Sequence, residues 1–222
     1  MSVPARAAFL GLVETEPERV QAYEDWHADD PLPENLALPG VVHANRWIAP
    51  PAYLEHRQAP DPALRGAQFL IAYLFADPLE ESLAAWVALE GKLRAAGRMF
   101  ADRTLRLGAT FELEGVDVSP GLALSPAALV QRRHRGVHLQ LAEAERFSSD
   151  DASRWQATLS LPGVAGGLRL TNSGEPEYGT SHAGRAELVF TQGDPLEVFA
   201  QLPQPQDTLF AGAFHTPPSI RG

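Results

Sequence analysis

Leu36-Ala37-Leu38-Pro39-Gly40-Val41 returns 123 residues later (162 − 39) as Leu159-Ser160-Leu161-Pro162-Gly163-Val164, and an arginine follows each copy at the same distance, Arg46 and Arg169. Two further landmarks flank it in the same order. Leu10-Gly11-Leu12-Val13-Glu14-Thr15-Glu16 is matched by Leu139-Gln140-Leu141-Ala142-Glu143-Ala144-Glu145, and Ala76-Asp77-Pro78-Leu79-Glu80 by Gly193-Asp194-Pro195-Leu196-Glu197. Their offsets are 129 and 117 residues (139 − 10, 194 − 77), so the order holds while the connections shorten. A period above about a hundred residues describes two copies of a small domain, not a solenoid of short repeats. The expected units are residues 1–115 and a shorter one at 134–222, joined by a linker over 116–133.

Each copy reads as strand, helix, strand, strand, helix, strand. Arg6 to Thr15 is apolar on both faces, as a strand covered on both sides should be. Glu16-Pro17-Glu18 opens a helix that the pattern carries to about Leu36, where Pro39-Gly40 stops it. Val41 to Ile48 alternates, with Val41, His43, Asn45 and Trp47 on one face. Four prolines between Pro50 and Arg65 mark a loop, and Gln68 to Phe75 is a third strand. Asp77-Pro78 reads as a helix cap with a first-turn proline, and Leu79, Leu83, Trp86 and Val87 form a stripe ending near Gly97. Thr104 to Leu113 closes the unit. In the second copy the strands fall near Gly136–Ala144, Val164–Thr171, Arg185–Thr191 and Thr208–Phe214.

A βαββαβ unit is the ferredoxin-like arrangement, a four-stranded antiparallel sheet with helices on one side. Its other face is apolar and needs a cover. The fold class expected is therefore α+β, with two tandem ferredoxin-like units packed sheet to sheet as an intramolecular α+β barrel, a pseudo-dimer.

Net charge of −10 over 222 residues argues against nucleic acid or an anionic membrane as partner, since both demand a basic face. With no cysteine there is no disulfide and no thiolate site. No apolar run reaches the length of a membrane span, and the N-terminus lacks a secretory pattern, so the expected location is the cytoplasm. The expected partner is a small molecule, and pseudo-dimers of this kind can pair again into a homo-oligomer.

From Tyr23 to Gly40 the chain resembles the dimeric α+β barrel superfamily, its EthD-like branch in particular. The resemblance rests on Asp25-Trp26, Pro33-Glu34, Pro39-Gly40 and Arg46. Where such proteins usually carry a histidine, this sequence has Pro31, and His27 lies one helical turn earlier. The second copy lacks the stretch, which places at most one full site in the chain, in the first copy. The resemblance implies a cofactor-independent isomerase, lyase or cyclase, transferring protons on an aromatic, lactone or polyketide-like compound.

His27 and His43 are the expected acid–base pair, because imidazole titrates near neutral pH. Tyr23, Asn45 and Arg46 would orient the substrate or stabilise an oxyanion, and Trp26 and Tyr73 would line the pocket. Each has a plainer alternative. The histidines suit a helix surface and a buried hydrogen bond, the aromatics a core, and the recurring Arg46 and Arg169 structural ion pairs. A non-catalytic ligand-binding or structural pseudo-dimer stands as the second reading. No metal site is expected, since His27, His43 and His56 lack ligand spacing. A haem-binding protein is the third reading, with His134, His138, His182 and His215 as candidate ligands and nothing in the sequence to single one out; the expected cofactor set is none.

Overall fold

Two of the three repeated landmarks touch each other in space, in both halves. In the computed structural model, which describes residues 5–144, 146–172, 178–179 and 183–217, each Pro-Gly turns the chain from helix into strand. Gly40 has φ 86° and Gly163 φ 83°, a left-handed backbone that a side chain rarely adopts. A β-carbon on Gly40 would run into Ser82, and one on Gly163 would lie 2.9 Å from Val198 Cγ2. Ala76 N–H donates to the Gly40 carbonyl at 2.8 Å, and Gln192 N–H to the Gly163 carbonyl at 2.8 Å. The Pro-Gly corner and the Asp-Pro landmark are thus two sides of one joint, present in both halves.

The first half comprises β1 (Ala5–Thr15), a 3-10 turn (Pro17–Arg19), α1 (Val20–Asp29), α2 (Pro31–Leu36), β2 (Val41–Ile48), α3 (Pro51–Leu54), α4 (Pro62–Arg65), β3 (Phe69–Ala76), α5 (Leu79–Ala95) and β4 (Arg103–Val118). After α6 (Pro126–Gln131), the second half runs β5 (Gly136–Ala142), α7 (Ser149–Leu159), β6 (Val164–Thr171), the short β7 (Tyr178–Gly179), β8 (Arg185–Thr191), α8 (Pro195–Phe199) and β9 (Thr208–His215). The pairings are antiparallel, and eight strands close a ring in the order β4-β1-β3-β2-β9-β5-β8-β6 and back to β4. Each half contributes the four-stranded ferredoxin-like sheet, and the chain is an intramolecular α+β barrel.

Inward side chains from both sheets, among them Leu10, Leu12, Leu70, Phe111, Leu139, Leu168, Phe210 and Phe214, fill the interior as one cluster. Two smaller clusters lie between the sheets and their outer helices. The two seams of the ring are unequal. β4 pairs with β6 from Glu112↔Thr171 to Val118↔Gly166, whereas β2 meets β9 only at Ile48↔His215.

Four details depart from the pattern. The first helix breaks at Asp30, because Pro31 has no N–H to continue the ladder and its ring distorts the backbone before it, with Asp30 at φ −116° and ψ −78°. The proline-rich loop holds the one-turn helices α3 and α4, the latter capped by Asp61, which accepts from Ala63 N–H at 2.8 Å. β4 runs to Val118, beyond Leu113 and into the stretch read as a linker, because β6 supplies a partner ladder. Asp194 caps α8 as the sequence suggests, but Asp77-Pro78 is a cis peptide and α5 begins at Leu79, with Asp77 paired to Arg6 at 3.3 Å.

Gly40→Ala and Gly163→Ala should each cost about 1–3 kcal/mol from the left-handed backbone and the clash. Gly91→Ala, where a β-carbon meets nothing within 4 Å on α5, should stabilise by about 0.5–1 kcal/mol. Urea midpoints of the three variants check both signs.

Candidate functional site

Tyr23, His27, Pro31 and Asn35 are spaced four residues apart, so they fall on one stripe that survives the break between α1 and α2. All four are buried. The stripe faces the helix-side surface of the first sheet, where Phe9, Ile71, Tyr73 and Leu105 project. α5 closes the third side with Trp86, Glu90 and Leu93, again one stripe. Between them lies a cavity of about 70 Å³, bordered near the surface by Trp26, Met99 and Arg103. It has room for a few waters or one end of a ligand.

The rim is tied down by Arg98, beyond the end of α5. Its guanidinium meets Asp30 at 2.6 Å and Glu34 at 2.8 Å, on either side of the α1–α2 break. Trp26 Nε1 donates to the Arg98 carbonyl at 2.7 Å, and the Arg103 guanidinium lies 5.2 Å from the Trp26 ring. Phe100 packs edge-on against Tyr23 at 5.5 Å.

His27 is the polar centre of the cavity and is 1% exposed. Its Nε2 shares a hydrogen bond with the Tyr73 hydroxyl at 3.2 Å, while Nδ1 has no partner among the described residues. Burial first, then the positive charges of Arg46 and Arg103, hold its pKa at about 3 instead of the ordinary 6.5. Burial pushes Tyr23 up to about 12 and Tyr73 higher still. The site at neutral pH is therefore a neutral imidazole between two neutral phenols, in a field set by two guanidiniums. Such a field opposes an imidazolium and favours an anion by the same Coulombic logic. Arg46 itself is 7% exposed, donates to the Glu24 carbonyl at 2.7 Å and pairs with the Glu24 carboxylate at 3.2 Å.

The structure brings together Tyr23, Trp26, His27, Arg46 and Tyr73 from the expected set, and it separates His43 and Asn45 from them. A bulge at Val42 puts Val41 on the helix side and leaves His43, Asn45 and Trp47 together on the other face. His43 pairs across with Leu74, and Asn45 with Ala72, both on the barrel-interior face. His27 and Tyr73 occupy the opposite, helix-side face, so no proton passes between the two histidines. Asn45 Oδ1 instead accepts from Arg46 N–H at 2.8 Å, and His43 lies beside Gln131 with its pKa lowered by burial. Arg103, Trp86 and Glu90 escaped the sequence reading as site residues. The signal for Glu90 was available: it is the one carboxylate on an otherwise apolar 86–90–93 stripe.

In the second half an ion network adjoins the apolar cluster between sheet and helices. Arg154 meets Glu187 at 2.7 Å and Asp151 at 3.2 Å, and Arg185 bridges Asp151 at 3.2 Å and Asp207 at 2.9 Å. Arg169 pairs with Asp117 at 3.4 Å, so both recurring arginines form ion pairs, although with unrelated partners. Of the haem candidates among the described residues, His134 and His138 have Nε2 engaged by backbone carbonyls, which does not fit an axial ligand. His138 is fully buried, bonded through Nε2 to the Pro195 carbonyl at 2.6 Å and packed on Phe199. His134 Nε2 is bonded to the Leu129 carbonyl at 2.8 Å with its ring stacked on Phe190, and His215 Nδ1 lies 3.1 Å from the Thr216 carbonyl. His182 lies outside the described residues. No His, Asp or Glu cluster among the described residues is arranged for a metal ion. No helix among them is long and apolar enough to cross a membrane.

Two solved structures share the architecture. A chlorite dismutase-like protein is similar over 96% of this chain and 95% of its own, with a TM-score of 0.52 and 9% identity. An anthrone oxidase-like protein is similar over 97% of this chain and 92% of its own, with a TM-score of 0.54 and 9% identity. No family model matches the chain, and no curated protein sequence matches it significantly. At such identity the likeness establishes the fold, that of the dimeric α+β barrel proteins, and leaves the reaction to the site.

Because the folded pKa of His27 lies below its unfolded value, the unfolded chain binds the extra proton between about pH 6.5 and pH 3. The stability carried by the neutral ring is complete above pH 6.5 and is lost as pH falls. His138, lowered to about 4 by burial, acts in the same direction. Thermal midpoints should therefore drop between pH 7 and pH 4.5, and drop less steeply in His27→Gln.

Proposed function

We propose that this chain is an internally duplicated member of the EthD-like branch, with units 1–115 and 134–222, whose first unit binds an aromatic, lactone or polyketide-like small molecule and moves a proton on it without a cofactor. Its partner on this reading is the ligand, with neither nucleic acid nor membrane involved, and it works in the cytoplasm. One observation carries the reading: a buried neutral imidazole, hydrogen-bonded to a phenol and flanked by Arg46 and Arg103, sits inside an aromatic-walled cavity. Flat rings suit the Trp26, Trp86 and Phe9 walls. The guanidinium field suits a ligand that becomes an enolate or phenolate. His27 takes the proton as that anion forms, since the anion raises the imidazole pKa that burial, Arg46 and Arg103 depress. Tyr73 keeps its proton at neutral pH and donates to the developing oxyanion, with Tyr23 packed behind it.

A second reading, non-catalytic binding, is favoured by the cavity's size, since about 70 Å³ admits only part of a polycyclic ligand unless the Arg98-clamped rim moves. The two readings differ in a measurable proton. A thermal-shift screen with aromatic acids, lactones and polyketide-like compounds should give a hit that His27→Gln and Tyr73→Phe weaken. Bound in deuterated water, that hit should exchange its acidic C–H in the wild type and at least about a hundredfold more slowly in His27→Gln. The rate should be flat from pH 5 to pH 8, without the break near 6.5 of an ordinary histidine. A hit that exchanges nothing establishes the binding reading, and no hit at all overturns both.

A further inference from the structure

The weak seam of the barrel ends in a groove with a basic rim. It has a volume of about 630 Å³ and is bordered by Tyr53 and the run Arg132-Arg133-His134-Arg135, together with Gln192, Asp194, His215 and Thr216. Its position follows from the unequal seams, since β2 and β9 meet only at Ile48↔His215 and the chain after α6 crosses in front of that point. Three of the 18 basic residues of a chain with net charge −10 converge here. All three arginines are exposed, and Arg133 donates to the Pro217 carbonyl at 3.4 Å. Among the described residues, no carboxylate is ion-paired with Arg132 or Arg135. The single acid of the groove, Asp194, is engaged by the N–H groups of Leu196 and Glu197 at 2.9 and 3.3 Å.

A second observation points the same way. Gln192 Nε2, Thr216 Oγ1 and His134 Nδ1 are buried beside this groove without a hydrogen-bonding partner among the described residues. Unmatched buried polar groups are costly, and three lie just beneath one groove without a counterpart among the described residues. Guanidinium forks match carboxylate and phosphate oxygens in bidentate geometry. Tyr53 and His215, edge to face at 5.8 Å, add a flat apolar flank. Pockets of about 300–1,000 Å³ take metabolite-sized ligands.

We propose that this groove is a second ligand site, which binds a small polyanion, phosphorylated or polycarboxylic, through Arg132 and Arg135. The site is separate from the first-half cavity and shares no residue with it. Titration calorimetry on the full chain at low salt, with pyrophosphate and with citrate as probes, tests it. Saturable binding of either probe is expected, and the stronger of the two assigns phosphoryl or carboxylate chemistry. The exposed pair Arg132→Gln/Arg135→Gln should weaken binding at least about tenfold without lowering the thermal midpoint, and Arg132→Lys/Arg135→Lys should retain part of it. Raising salt from about 0.05 to about 0.5 M should weaken it too. His27→Gln should leave the affinity unchanged, which keeps this result independent of the proton-transfer reading. Binding of neither probe, equal affinity in the glutamine pair, or loss of affinity in His27→Gln overturns the proposal.

Discussion

A four-stranded antiparallel sheet with helices on one side has a second face that water does not accept. Most other features of this molecule follow from covering it. Leu10, Leu12 and Leu70 of one sheet meet Leu139, Leu168 and Phe214 of the other, and each such side chain gains about 1.5–3 kcal/mol from leaving water. Neither sheet can be left without its counterpart, so the two halves must meet face to face. Once they do, the helices are forced outward, and the only space left for a ligand lies between a sheet and its own helices or at a seam.

The two halves use the helix–sheet space in opposite ways. The first fills it with aromatic rings around a neutral histidine and leaves a small void. The second packs Trp155, Leu159 and Val189 there and adds an ion network of Arg154, Glu187, Asp151 and Arg185. A buried ion network of this sort adds little net stability over an apolar filling, but removing one member strands the others. The halves thus differ in side chains and in helix length, since α8 spans 5 residues where α5 spans 17.

Much of this was legible from the residues. Pro39-Gly40 and Pro162-Gly163 marked the corners because only glycine tolerates the backbone there, and the strand order followed from the repeat. His27 was visible because of its place beside Asp25-Trp26. His43 misled because alternation groups it with Asn45 and Trp47, as in the structure, but does not say which face of the sheet looks into the barrel. Arg103 was hidden for another reason. It comes to Trp26 across most of the first unit, and no local period encodes that approach. Pro31 was read as a gap in a motif, whereas in space it shares the cavity wall with His27, one turn away.

Joining two similar sheets through one connector has made the barrel mechanically lopsided. Along β4 and β6 the wall is continuous fabric; between β2 and β9 it is a slit held by one stitch, Ile48 to His215, with Gln58 reaching across to Ala211 as a patch. A cylinder slit along one side does not swell evenly. Its compliance concentrates at the slit, the opposite wall serves as a stiff spine, and the side chains around the gap absorb the breathing of the whole core.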